Sequence, residues 1–187
     1  MSSAVLDINR PLFLVGFMCS GKTTLGRAFA KQLGIPFCDL DQLIESEQNM
    51  SVSEIFSTFG EERFRQIEAE TINRVIGDAV PRIYALGGGT PCVKGTMDKL
   101  NDAGLTVHLT APVERLMERI MLEEGKRPLV AGMTQPRLKS YVTSKLAERN
   151  RYYSQASVTF DASRLENEQQ VAESVNRLIE TLSKQLT

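Results

Sequence analysis

The chain has no surplus of positive charge: 22 lysines and arginines stand against 23 aspartates and glutamates, for a formal net charge of −1. A protein that held nucleic acid or an anionic membrane through its overall field would carry a basic excess, so the partners here are chosen by local sites. It also lacks any apolar run near the roughly 20 residues that a membrane helix requires. Its three cysteines, Cys19, Cys38 and Cys92, are odd in number and form no C-x-x-C pair. That argues against a disulfide framework and for reduced thiols in a cytoplasm. The single histidine, His108, lies in an apolar strand pattern without a partner constellation. It reads as a core or edge residue, and nothing has the spacing of a zinc site. The N-terminal stretch MSSAVLDINRPLFLVGF has no basic leader ahead of its apolar part and reads as a strand entering a glycine loop, not as a signal peptide. With no internal repeat, low-complexity tract or obvious linker, 187 residues of ordinary globular composition predict one domain over 1–187.

What is present is an alternation. Short apolar runs at Leu12 to Val15, Ile35 to Cys38, Ile83 to Leu86, Leu105 to Leu109 and Ser157 to Phe160 are too brief for helices and lack clean polar alternation. Such runs suit strands covered on both faces. Helical patterns lie between them. Lys22 to Leu33 puts Leu25, Phe29 and Leu33 on one face. Ser51 to Glu54 has capping-box spacing, ahead of a stretch through Phe64, Ile67, Ile72 and Ile76 with Gly60 as a candidate break. Thr110-Ala111-Pro112 opens another helix with proline in its first turn. Pro136 to Tyr153 and a final stripe from about Glu168 complete the set. Strands alternating with helices predict a parallel sheet in an α/β fold with helices on both faces. The segment at about 123–135, with glycines, proline and charges, predicts a mobile surface loop.

Gly16-Phe17-Met18-Cys19-Ser20-Gly21-Lys22-Thr23 satisfies G-x-x-x-x-G-K-[ST] between a strand and a helix. Glycines let backbone N–H groups turn toward phosphate oxygens, and the helix start adds its positive dipole end. Lys22 then reaches the terminal phosphates and Thr23 meets Mg²⁺, with Thr24 beside it. The cargo is a nucleoside triphosphate, and ATP is expected as co-substrate. No N/T-K-x-D segment of a guanine-specific switch is present.

Three further stretches bear on the phosphate's destination. Asp39-Leu40-Asp41 follows the second strand, where ligands gather in such sheets. One carboxylate could attend Mg²⁺ while the other accepts a proton, or Asp39 caps the strand and Asp41 the next helix. Arg65 could grip a carboxylate through two parallel hydrogen bonds, or form a surface pair with Glu61 or Glu68. Gly87-Gly88-Gly89 lets backbone approach a small polar ligand, or makes a tight turn.

Taken in order, the loop, the D-x-D, G-E-x-x-F-R-x-x-E from Gly60 to Glu68, the glycine run, Arg127-Pro128-Leu129 and Glu148-Arg149 before a tyrosine-containing stretch resemble the shikimate kinases from about Leu12 to the last helix. The resemblance implies a three-layer P-loop kinase fold like that of nucleoside monophosphate kinases, with a five-stranded parallel sheet, a substrate-binding region at about 40–77 and a lid at about 123–135. It implies transfer of the terminal phosphate of ATP to the 3-hydroxyl of shikimate, in aromatic amino acid biosynthesis. By that likeness Asp41 accepts the hydroxyl proton, Asp39 and Thr23 serve one Mg²⁺, and Arg65 and Arg149 grip the shikimate carboxylate. Gly87, Gly88 and Gly89 line the ring, Glu68 orients Arg65, and Arg127 closes over the phosphates. Arg119 and Arg164 are candidate adenine neighbours. A cytoplasmic monomer acting on shikimate and ATP, without nucleic acid or membrane, is expected.

The sequence departs from the pattern of that family in places. Cys19 stands where glycine is common, as a reactive thiol at a helix start or an inert filler. Asn150-Arg151-Tyr152-Tyr153 replaces N-P-L-Y, and Arg151 reads as a surface charge. Rival readings are a related kinase acting on another polyol acid such as gluconate, and a nucleotide-sensing module without turnover.

Overall fold

The computed structural model describes residues 8–78, 80–123, 130 and 132–185. Five parallel strands form one sheet in the order β2-β3-β1-β4-β5. They are β1 (Leu12–Val15), β2 (Phe37–Asp39), β3 (Ile83–Ala85), β4 (Leu105–Thr110) and β5 (Val158–Asp161). Leu12 pairs with Ile83 on one side and Leu105 on the other, so β1 is central, and its LFLV run is wholly buried. That explains the missing polar alternation. The expectation of two covered faces does not hold at β5, where Thr159 and Asp161 are exposed, because this edge strand has one open face. The other edge, β2, starts later than the apolar run beginning at Ile35, although the Pro36 carbonyl still accepts from the Ile83 N–H at 3.0 Å.

One sheet face is covered by α1 (Lys22–Leu33) and α7 (Glu168–Gln185), whose Leu25, Phe29, Leu178 and Leu182 meet Leu12, Leu14 and Val107. The other is covered by α2 (Leu40–Gln48), α3 (Val52–Asp78) and α4 (Thr96–Ala103), with Ile44, Ile55, Ile67 and Leu100 around Phe13, Val15 and Tyr84. Each fully buried side chain of this kind contributes about 1.5–3 kcal/mol. A third cluster joins α5 (Val113–Leu122) and α6 (Gln135–Tyr153) beneath the glycine loop, through Phe17, Leu116, Ile120 and Val142.

Local chemistry sets the element ends. The capping box before α3 is formed: the Glu54 N–H donates to Ser51 Oγ at 3.2 Å, and the Ser51 N–H donates to Glu54 Oε2 at 2.7 Å. Gly60, at φ 80° and ψ 172°, breaks α3 into two helical segments, and the second carries Arg65 and Glu68. Pro112 caps α5 from just outside instead of occupying its first turn. Because all strands are parallel, their C-terminal ends share one edge. The sheet order reverses at β1, with β2 and β3 to one side and β4 and β5 to the other, which is where ligand crevices open in such folds.

Candidate active site

The loop from Gly16 to Gly21 joins β1 to α1. Gly16 has φ 144°, and a Cβ there would stand 2.6 Å from the Leu109 carbonyl oxygen, so no other residue fits without displacing the neighbouring strand. Helix α1 has no side-chain cap at its start and no acidic residue in its first turn, which leaves its N–H groups and positive dipole end for an anion. Lys22 Nζ donates to the carbonyls of Gly16 at 2.9 Å and Phe17 at 2.7 Å, holding the ammonium over the loop. The Phe17 ring and Ser20 are buried, so these residues meet a ligand through backbone alone. Met18, Cys19, Gly21, Lys22, Thr23 and Thr24 line a cleft of about 350 Å³.

Asp39, not Asp41, caps the next helix, and it also meets Thr23. It is the N-cap of α2, with Oδ1 accepting from the Asp41 N–H at 3.1 Å, and its Oδ2 accepts from Thr23 Oγ1 at 2.7 Å. Thr23 and Asp39 thus offer adjacent hard oxygens, as Mg²⁺ prefers. No group of three or more His, Cys, Asp or Glu that could hold a metal occurs among the described residues. The donor set therefore fits an ion that draws most of its shell from phosphate and water, not a protein-caged metal. Asp41 lies in the first turn of α2 and lines the same cleft.

Across the cleft, Gly87 to Gly89 leave the end of β3. A Cβ on Gly87 would stand 2.6 Å from Glu68 Oε1 and 3.2 Å from Asp41 Oδ1. One on Gly88 would stand 3.2 Å from Arg149 Nη1 and 3.4 Å from the Met18 nitrogen, and one on Gly89 2.7 Å from Arg65 Nη1. The run is glycine because the side chains of Glu68, Asp41, Arg149 and Arg65 and the phosphate loop press against its backbone. Arg65 donates to Glu68 Oε2 at 2.8 Å and to Glu61 Oε1 at 3.2 Å. Glu68 is only 2% exposed, so this is no ordinary surface pair. Burial works against the charge on Arg65, but Glu68 and then Glu61 outweigh it and raise its pKa. Arg149, on α6, stacks its guanidinium 5.7 Å from the Phe17 ring centre.

Other candidates separate clearly. Arg119 lines the cleft and ties its walls together, donating to the carbonyls of Cys19 at 3.3 Å and of Ala162 and Ser163 at 3.0 Å. Arg164 does not face the cleft: it is largely exposed and pairs with Glu173 at 3.6 Å, while its neighbours Leu165 and Glu166 line the wall. The chain turns at that point, and sequence alone gave no sign of which side chain would face in. Arg127 and most of the 123–135 segment lie outside the described residues. Arg151 stays on the surface, its guanidinium 4.7 Å from the Tyr152 ring. His108 is a core residue of an inner strand, and burial, with the nearby Lys22 charge, lowers its pKa to about 4. Missed by the sequence reading was Tyr153, which is fully buried and donates to the Gly88 carbonyl at 2.6 Å. Burial pushes its hydroxyl pKa well up, so it remains a donor. Tyr153 stood in the tyrosine-containing stretch that carries the resemblance, but nothing in the sequence gave it a role or a partner.

A family model described as shikimate kinase matches residues 18–182. The chain belongs to the shikimate kinase family. Among its curated relatives, the shikimate kinase of Parabacteroides distasonis is 39% identical over 171 residues, spanning 91% of this chain and 98% of that one. Among solved structures, the shikimate kinase of Bacteroides thetaiotaomicron matches with a TM-score of 0.88 at 36% identity, covering 92% of this chain and 98% of that chain. That of Acinetobacter baumannii, solved in complex with shikimate, matches at 0.81 and 28% identity, covering 95% and 96%. Against the shikimate kinase pattern, Cys19 now has a physical description. It sits at φ 59°, in the left-handed region that glycine fills most easily, and its Sγ donates to Glu123 Oε2 at 3.6 Å.

Proposed function

We propose that this chain is an ATP-dependent shikimate kinase that converts shikimate and ATP to shikimate 3-phosphate and ADP. The observation that carries the reading is the convergence of Asp41, Arg65 and Arg149 on the Gly87–Gly89 backbone, beside the cleft that Lys22 and Thr23 line. The relatives bear the same activity in their names, and one was solved with shikimate bound.

Shikimate is small and polar, so charge-assisted hydrogen bonds must hold it, each contributing about 1.5–3 kcal/mol when sheltered. Arg65 and Arg149 clasp its carboxylate, which leaves the ring against the glycine run and the 3-hydroxyl toward Asp41. The 3-oxygen forms a bond to the γ-phosphorus as the bond to the β-phosphate oxygen breaks, and the hydroxyl proton passes to Asp41. Lys22 balances charge on the migrating group, and alignment does most of the remaining work. Thr23 and Asp39 would hold one Mg²⁺, which would supply charge neutralisation to the phosphates. The backbone from Gly16 to Thr24 carries the phosphates, and Arg119, with Leu165 and Glu166, flanks the nucleoside. Arg127, outside the described residues, would add positive charge at the phosphates, as the resemblance implies. We take the chain as a single cytoplasmic domain acting as a monomer, with its acceptor region at about 40–77.

A coupled ADP-release assay with shikimate, gluconate and no acceptor tests the proposal. Turnover on shikimate, with kcat/KM on gluconate at least 10²-fold lower, is expected from a site built to pair a specific carboxylate and hydroxyl set. Comparable use of gluconate, or nucleotide binding without turnover on either acid, overturns it.

A further inference from the structure

The glycine run ends in a feature that the catalytic reading leaves unused. Residues Thr90–Cys92 form a single 3₁₀ turn, fastened by the Thr90 N–H donating to the Gly87 carbonyl at 3.1 Å and the Cys92 N–H to that of Gly89 at 2.9 Å. Thr90 is 2% exposed, and its Oγ1 donates to Glu68 Oε1 at 2.5 Å. The other oxygen of that carboxylate accepts from Arg65. Glu68 therefore has a donor on each oxygen, one from the turn and one from the arginine.

The competition at Arg65 makes this arrangement consequential. Its guanidinium is shared between buried Glu68 and Glu61, whose side chain is 64% exposed. A carboxylate taken out of water is stable only while its oxygens are satisfied. Without a partner for Oε1, Glu68 is a poorer anchor than Glu61, and the arginine is drawn outward, away from the Gly89 backbone it now touches. We infer that Thr90 is a positioning residue for acceptor binding: its hydroxyl fixes Glu68, and through Glu68 it aims Arg65 at the carboxylate of the substrate. The inference rests on the proposed role of Arg65 and adds a side chain that does not itself meet the substrate. It also explains why the glycine run and the turn form one piece. Gly87 makes room for Glu68 and Asp41, Gly89 for Arg65, and Thr90 locks the carboxylate between them.

The test is steady-state kinetics of Thr90→Val, which keeps the side chain's shape and removes the hydroxyl, beside Thr90→Ser, which keeps the hydroxyl. Thr90→Val is expected to raise the KM for shikimate about tenfold or more, the cost of one hydrogen bond to a charged group. Its KM for ATP should stay within about twofold, and Thr90→Ser should restore most of the shikimate affinity. If Thr90→Val does not fold, Thr90→Ala against Thr90→Ser isolates the hydroxyl, with thermal melting recorded for each. Combining Thr90→Val with Arg65→Ala should be no worse for shikimate than Arg65→Ala alone, because coupled groups are not additive. An unchanged shikimate KM in Thr90→Val, or equal rises in both KM values, overturns the inference. If Arg65→Ala itself leaves the shikimate KM unchanged, the carboxylate-binding role of Arg65 has failed, and with it the premise. The two failures are thus told apart.

Discussion

The two ends of the cleft are made of different material. At the phosphate end, the loop from Gly16 to Gly21 presents backbone, with Phe17 and Ser20 turned into the interior and α1 lending its uncapped N–H groups. At the proposed acceptor end, the recognition groups are side chains gathered from three helices around the glycine run after β3: Asp41 from α2, Arg65 and Glu68 from α3, and Arg149 from α6. A site made of backbone tolerates most side-chain changes, and its signature is local. A site made of side chains depends on packing that holds separate elements in register, and a single substitution can remove a function from it.

That contrast is broken most directly at Asp41. Asp41→Asn preserves size and removes the proton acceptor, so kcat should fall by about 10²–10⁴, with ATP affinity nearly unchanged. Rapid-quench or coupled turnover measures it, and a near-wild-type rate would remove Asp41 from the chemistry. Next in size, Arg65→Ala or Arg149→Ala should each raise the shikimate KM by about 10–100-fold while leaving the KM for ATP within about twofold. Equal damage to both substrates would mean that the arginines support the fold and not the acceptor.

Behind the phosphate loop, His108 gives a pH signature of its own. Its pKa is about 4 in the folded chain, against about 6.5 unfolded. Protons therefore bind the unfolded state preferentially between those values, and this contribution to stability is complete above about pH 6.5 and lost as pH falls toward 4. Melting temperatures of the wild type should drop over that window more steeply than those of His108→Gln, and parallel curves would contradict the assignment. The smallest effect is expected at Cys19. Cys19→Gly relieves a left-handed side chain worth about 1–2 kcal/mol but adds backbone entropy to the unfolded state worth about 0.5–1 kcal/mol. A slight gain in melting temperature with unchanged ATP affinity follows, and a large loss of affinity would show that the thiol contributes to nucleotide binding.

The same contrast governs what could be read in the sequence. The phosphate loop and α1 were legible to the residue, since a contiguous glycine pattern between a strand and a helix is local chemistry. The five strands were found, β3 and β4 each off by one residue at the C-terminal end and β2 and β5 displaced at both ends, where edge position and chain turns outweigh apolar content. Helix α4 was not anticipated. It has only eight residues, and only Met97 and Leu100 of them are buried, too few to display a period. Spacing left Asp39 divided between capping and metal binding; in the fold its Oδ1 caps α2 while its Oδ2 accepts from Thr23. It left Arg65 between a surface pair and a ligand clamp, because the partners that bury Glu68, Gly87 and Thr90, follow β3 and lie far away in sequence. Tyr153 and Thr90 escaped for the same reason: their partners lie on other elements. The outward turn of Arg164 likewise depends on the path between β5 and α7.

One measurement bears on the central claim, that two guanidinium groups hold the acid of the substrate beside the phosphate loop. It is kcat/KM for shikimate and for its neutral methyl ester, compared in the wild type and in Arg65→Ala/Arg149→Ala. The wild type should prefer the acid by at least about tenfold, the worth of one charge-assisted hydrogen bond, and the double variant should lose that preference. If both enzymes favour the acid to the same degree, the carboxylate is recognised elsewhere and the account is wrong.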